Sequence, residues 1–132
     1  VQSMSNLVSN VGVIGSDVTG VGTARFNISA ASYGGDKVVF AFGLTESAGV
    51  NTKNLCSNIG VIGSDVSGVG TVRYSLAAAS YGGDKAVFAY GQADNKSSLK
   101  NLVSNTGVVA ADVSGVGTAR SRLAAAGYSQ SA

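Results

Sequence analysis

Arg73-Tyr74-Ser75-Leu76-Ala77-Ala78-Ala79-Ser80-Tyr81-Gly82-Gly83-Asp84-Lys85-Ala86-Val87-Phe88-Ala89-Tyr90-Gly91 is the stretch on which the fold turns. At its centre, the double glycine followed by Asp84 supplies the positive-φ positions that a tight hairpin demands. Lys85 to Gly91 alternates with period two and is rich in aromatic and β-branched residues, so it reads as a strand. Arg73 to Tyr81, narrow in side-chain volume, is the strand before the turn. Alanine is the best helix former, which makes Leu76 to Ala79 a rival helix. Nine residues from Arg73 to Tyr81 are too few for that, because a helix stable on its own needs about 12 to 15, and a hairpin signal follows at once.

Outward from this hairpin, Gln92 to Ser98 is a polar loop. Leu99 to Ser104 and Gly107 to Asp112 are expected as a third and a fourth short strand, with Asn105-Thr106 at the turn between them. Val113 to Gly117 then leads to the next arginine. Four short strands with regularly spaced turns describe an antiparallel blade.

The unit recurs. Asn6-Leu7-Val8-Ser9-Asn10 returns 48 residues later as Asn54-Leu55-Cys56-Ser57-Asn58 and 47 residues after that as Asn101-Leu102-Val103-Ser104-Asn105. Repeats of about 40 to 50 residues cannot bury a hydrophobic face alone and must stack on their neighbours. The expected organisation is one all-β repeat domain. It comprises a partial repeat at 1–24 (the latter half of a blade), complete repeats at 25–72 and 73–119, and a partial repeat at 120–132 (a first strand). The two partial units complement one another imperfectly, since Ser129-Gln130-Ser131-Ala132 stands where Gly-Gly-Asp-Lys would. Starting at Val1 rather than Met leaves room for a removed leader or a longer N-terminus.

An arginine, a small apolar strand, Gly-Gly and an apolar-aromatic strand ending in Gly occur at Arg73 to Gly91 and from Arg25-Phe26-Asn27-Ile28 through Gly34-Gly35 to Phe42-Gly43. This pattern resembles the Kelch type of β-propeller repeat. The chain is also similar to arrays of Gly-Thr-Ala-Arg, Leu-Ala-Ala-Ala and Gly-Gly-Asp-Lys blocks in large phage and environmental proteins. The resemblance implies a β-propeller-like arrangement of about three four-stranded blades. Propellers typically have four to eight blades, so ring closure would need a homo-oligomer, and a dimer would supply six. The rival is a fragment of a longer array, and an open filament or a stacked solenoid is a further alternative, because a heterologous interface that does not close propagates.

Composition narrows the function. Charged residues make up 12% of the chain and the formal net charge is +2, with nine basic residues spread along the sequence. That dispersion argues against a nucleic-acid partner, which needs clustered Lys and Arg. No apolar run approaches the roughly 18 residues of a membrane helix, so no membrane insertion is expected. Cys56 is the only cysteine, which forbids an intrachain disulfide. It occupies the position of Val8 and Val103 and so reads as a small buried apolar side chain.

There is no histidine, which removes Ser-His-Asp and Cys-His catalysis and the usual zinc sites. Gly20-Val21-Gly22-Thr23-Ala24-Arg25 imitates a dinucleotide fingerprint, yet it recurs at Gly68 and Gly115 and no helix pattern follows. It is an inter-blade turn, and neither a cofactor nor a bound metal is expected. Asp17, Asp65 and Asp112 each precede Arg25, Arg73 and Arg120 by eight residues. Each Asp reads as capping a turn or pairing with an Arg at the same blade level, pinning the linker, and the alternative is a ring of guanidinium groups able to hold an anion. Asp36-Lys37 and Asp84-Lys85 belong to the hairpin turns. The loops at 44–53 and 92–100 differ most between repeats, so Thr45, Glu46, Asn51, Gln92, Asp94, Asn95 and Lys96 are candidates for a recognition face.

The expected function is therefore non-enzymatic: a structural or adhesive repeat protein assembling with copies of itself through blade contacts, as on a virion or extracellular surface. The alternative is a lectin-like propeller binding a glycan, a protein or another small ligand. The chain has no Trp for sugar stacking, though Tyr33, Tyr81 and Tyr128 offer other rings.

Overall fold

The computed structural model describes residues 1–127. The chain is all-β, with no helix among the described residues. Among the described residues six strands form two three-stranded antiparallel sheets. The first holds β1 (Ser29–Tyr33), β2 (Lys37–Ala41) and β3 (Lys53–Cys56), and the second holds β4 (Ala77–Tyr81), β5 (Lys85–Ala89) and β6 (Lys100–Val103), each in sequence order. Tyr33 pairs with Lys37 and Tyr81 with Lys85, so Gly-Gly-Asp is the loop of both hairpins. Its glycines take φ of 60° and 82° in one turn and 60° and 80° in the other, the left-handed region that costs an L-residue energy.

The first strand of each sheet is shorter than the alternation suggested. Asn27 and Ser75 adopt φ of 52° and 51°, which breaks the extended run after the arginine. Phe26 and Tyr74 then pair only through isolated bridges to Leu44 and Gln92. The alanine-rich segment is strand β4, because its backbone pairs with β5 from Ala77↔Ala89 to Tyr81↔Lys85 and tertiary pairing overrides alanine's helical preference.

The segment expected as a fourth strand does not form a continuous one. It meets β6 at two isolated bridges, Val103↔Val109 and Lys100↔Val113, three residues apart on β6 and four apart on the segment. The extra residue interrupts the ladder as a bulge does. Cys56↔Ile62 with Lys53↔Val66, and Val8↔Ile14 with Ser5↔Val18, repeat the same offset.

The two sheets pack through their first strands, with β1 lying against β4 and β5. Ser29 Oγ donates to Leu76 O at 2.5 Å, and the backbone N–H groups of Gly34, Gly43 and Ser75 donate to Asp84, Arg73 and Asn27 of the other unit. One core spans both sheets: Ala31, Tyr33, Val39, Ala41 and Phe42 meet Leu76, Ala86, Phe88, Val103 and Val109. The Phe42 and Phe88 rings lie 5.5 Å apart and tilted at 59°, a favourable edge-toward-face arrangement. Cys56 is buried.

Candidate functional site

The recurring polar residues meet in one motif, built the same way in each complete repeat. Asn54, on β3 opposite the bulged segment, donates from Nδ2 to Gly63 O at 3.1 Å and to Asp65 Oδ1 at 2.8 Å. Asn101 does the same to Ala110 O at 3.1 Å and Asp112 Oδ1 at 2.9 Å. The amide thus supplies the donors that the broken ladder lacks. Its Oδ1 accepts from the arginine that opens the repeat, Arg25 or Arg73. Arg73 Nη1 also donates to Tyr90 O and Leu99 O, both at 2.8 Å, and Arg25 Nη1 to Phe42 O at 3.1 Å and Thr52 O at 2.6 Å. The guanidinium therefore ties the end of the hairpin to the start of the third strand.

The carboxylate end of this clasp reaches the previous linker. Asp65 Oδ2 accepts from Thr23 N at 2.9 Å and Thr23 Oγ1 at 2.6 Å. Asp112 Oδ2 accepts from Thr71 N at 2.8 Å and Thr71 Oγ1 at 2.7 Å. Burial opposes the charge of Asp65 and Asp112, but hydrogen bonds from Thr and Asn and the nearby arginine outweigh it, so both carboxyls titrate below their ordinary value. Burial lowers the arginine pKa values, against the pull of those aspartates.

The charge pairing runs forward along the chain. Arg73 Nη2 is 3.9 Å from Asp112, and Arg25 feels Asp65, so each arginine meets the aspartate about forty residues ahead rather than the one eight behind. Arg73 is 0% exposed and lies over the Phe42 ring at 5.1 Å. Its Nη donors are spent on protein oxygens, which leaves no open fork for an anion. Arg25 is half-buried. Arg120 is exposed and stacked 3.8 Å over the Tyr90 ring, and its guanidinium donates only to Thr118 O, at 3.4 Å, among the described residues. The sequence singled out Arg and Asp but not the asparagine between them, although Asn6, Asn54 and Asn101 open every copy of the repeated block.

The Gly-Val-Gly linker serves this clasp. A Cβ on Gly68 would lie 1.5 Å from Asn51 O, and one on Gly115 would lie 1.4 Å from Ser98 O, so two backbones cross where only glycine fits. The close approach is to the protein's own chain.

The variable-loop residues do not converge on one constellation. Glu46, Asp94, Asn95 and Lys96 are exposed, Thr45 and Gln92 half-buried. Thr45 accepts and donates within its own turn, and Asn51 Nδ2 donates to Gly70 O at 2.8 Å. Glu46 meets the N-terminal amine at 3.3 Å. A groove of about 390 Å³ lies between the loops, lined by Gly49, Thr71, Val72, Tyr74, Ala93 and Asp94. A second cavity, of about 300 Å³, separates Ser3 to Asn6 from Arg25, Phe40 and Ile62. Tyr33 is buried in the core and Tyr81 half-buried, while Tyr128 lies outside the described residues. Among the described residues no cluster of three His, Cys, Asp or Glu could hold a metal ion, and no helix is long and apolar enough to cross a membrane. No protein-family model matches the chain, and no curated protein matches it.

Proposed function

We propose that this protein is a non-enzymatic structural or adhesive module whose Kelch-like, propeller-type blades bind copies of the same chain. The observation that carries this reading is the repetition of one stacking register at both internal junctions, together with a first half-repeat left uncovered. Leu7 packs on Gly60 and Leu55 on Gly107, while Thr23 binds Asp65 and Thr71 binds Asp112. Val8 and Ile14 are 62% and 68% exposed, whereas their counterparts Val103 and Val109 are 1% and 4%. Exposed apolar residues grouped in this way mark association surfaces. The bulged fourth segment would complete each blade, and a ring of six blades from two chains is one way for the register to close.

Light scattering across protein concentration tests the proposal. Particles at multiples of 13.0 kDa are expected, growing with concentration, and a 13.0 kDa species throughout would contradict it. The groove beside Tyr74 and Asp94 favours a second reading, a lectin-like loop site for a glycan. Glycan-array binding lost in Asp94→Ala would support that reading, and an array with no bound sugar would remove it.

A further inference from the structure

Two sets of contacts join each repeat to the next, a third joins the two complete repeats, and each has a donor side and an acceptor side. The threonine of one linker binds the aspartate of the next repeat, as Thr23 to Asp65 and Thr71 to Asp112. The leucine of one third strand covers a glycine of the next repeat, as Leu7 over Gly60 and Leu55 over Gly107. Lys53 Nζ donates to Gly107 O at 3.0 Å in the same direction.

At the first and the last described repeat these sets stand half-made. Asp17 accepts only from Asn6 Nδ2, at 2.8 Å, among the described residues, and no atom lies within 4 Å of a Cβ placed on Gly12. At the other end Thr118, Leu102 and Lys100 meet no following repeat among the described residues, and Leu102 is exposed. Arg120 has its aromatic support, Tyr90, as Arg73 has Phe42, but lacks the asparagine that Arg73 finds in Asn101. Asn6 is the corresponding asparagine of the repeated block, and it is exposed.

We propose that two copies of this chain join head to tail in the register of the internal junctions, with Thr118 of one copy on Asp17 of the next, Leu102 over Gly12 and Arg120 on Asn6. The proposal rests on the self-assembly reading above and specifies its surface. The occupant follows from continuity: the chain twice shows what covers this face, and the second copy carries the same donors. The threonine, leucine and lysine contacts all arise from the third strands, the bulged segments and the linkers, so the junction does not need a counterpart of β2. It is heterologous, the donor face of one copy meeting the acceptor face of another, and the joined pair keeps one face of each kind unused.

That asymmetry gives the test. Asp17→Lys blocks only the acceptor face and Leu102→Lys only the donor face, at exposed positions outside the core. Far-UV circular dichroism of each variant establishes that it retains the parent fold. At a concentration where the parent chain assembles, each variant alone should sediment at 13.0 kDa, and an equimolar mixture should form a species of twice that mass and nothing larger. Variants that assemble like the parent, or a mixture that stays monomeric, would overturn this register while leaving self-assembly standing. A parent chain that is monomeric throughout would overturn both.

Discussion

At Arg73 a full positive charge leaves water, and the cost is met by four hydrogen-bonded oxygens, the Asp112 carboxylate and the Phe42 ring. Removing one partner from such a buried arrangement leaves the others unsatisfied, so Arg73→Ala should destabilise the chain by about 3–5 kcal/mol in urea unfolding. Arg120→Ala, at an exposed equivalent, should stay within about 0.5 kcal/mol when measured on the monomer. Equal losses at the two positions would show that burial of the clasp contributes little. Glycine offers a second contrast. Gly115→Ala sets a methyl group against Ser98 O and should lower the melting temperature severely, by more than about 4 kcal/mol in stability. Gly83 has φ of 80° but open space around it, so Gly83→Ala should cost only the left-handed penalty of about 1–2 kcal/mol.

Within the elements, the hairpins were legible because every local signal agreed. Gly-Gly-Asp fixed both turns, and the Lys-Val-Val-Phe-Ala and Lys-Ala-Val-Phe-Ala runs became β2 and β5. The fourth segment was not, since a one-residue bulge leaves no trace in alternation and depends on an asparagine from another strand. Nor did the eight-residue Asp–Arg spacing reveal the true pairing, because the chain must fold back before Asp65 approaches Arg25. The clasp makes stability pH-dependent in a defined direction. Asp65 and Asp112 have lower pKa values folded than unfolded, so the unfolded chain binds more protons as the solution is acidified. Their contribution is present above the unfolded value, about 3.9, and is lost as pH falls through the folded values. Melting temperature should therefore hold steady from neutral pH down to about 4 and drop below it. The drop should be shallower in the double variant Asp65→Asn, Asp112→Asn; an identical acid limb would exclude the clasp as its source.

For the molecule as a whole, repeats coupled only to their neighbours gain stability from each junction. The core runs continuously from β1 to Val109, whereas the first half-repeat contributes no buried hydrophobic residue to it. A neighbour seated on that half-repeat would cover Val8 and Ile14 as Val103 and Val109 are covered within the chain. The most direct probe of this idea is an intermolecular disulfide between Asp17→Cys and Thr118→Cys in a Cys56→Val background. The matching Thr and Asp oxygens lie 2.6 Å and 2.7 Å apart at the internal junctions, close enough for such a bond once both side chains are cysteines. Mild oxidation should give a ladder of covalent multimers that collapses on reduction, with neither single-cysteine variant forming more than a dimer. Only monomers after oxidation, from a protein that still assembles, would contradict the head-to-tail junction.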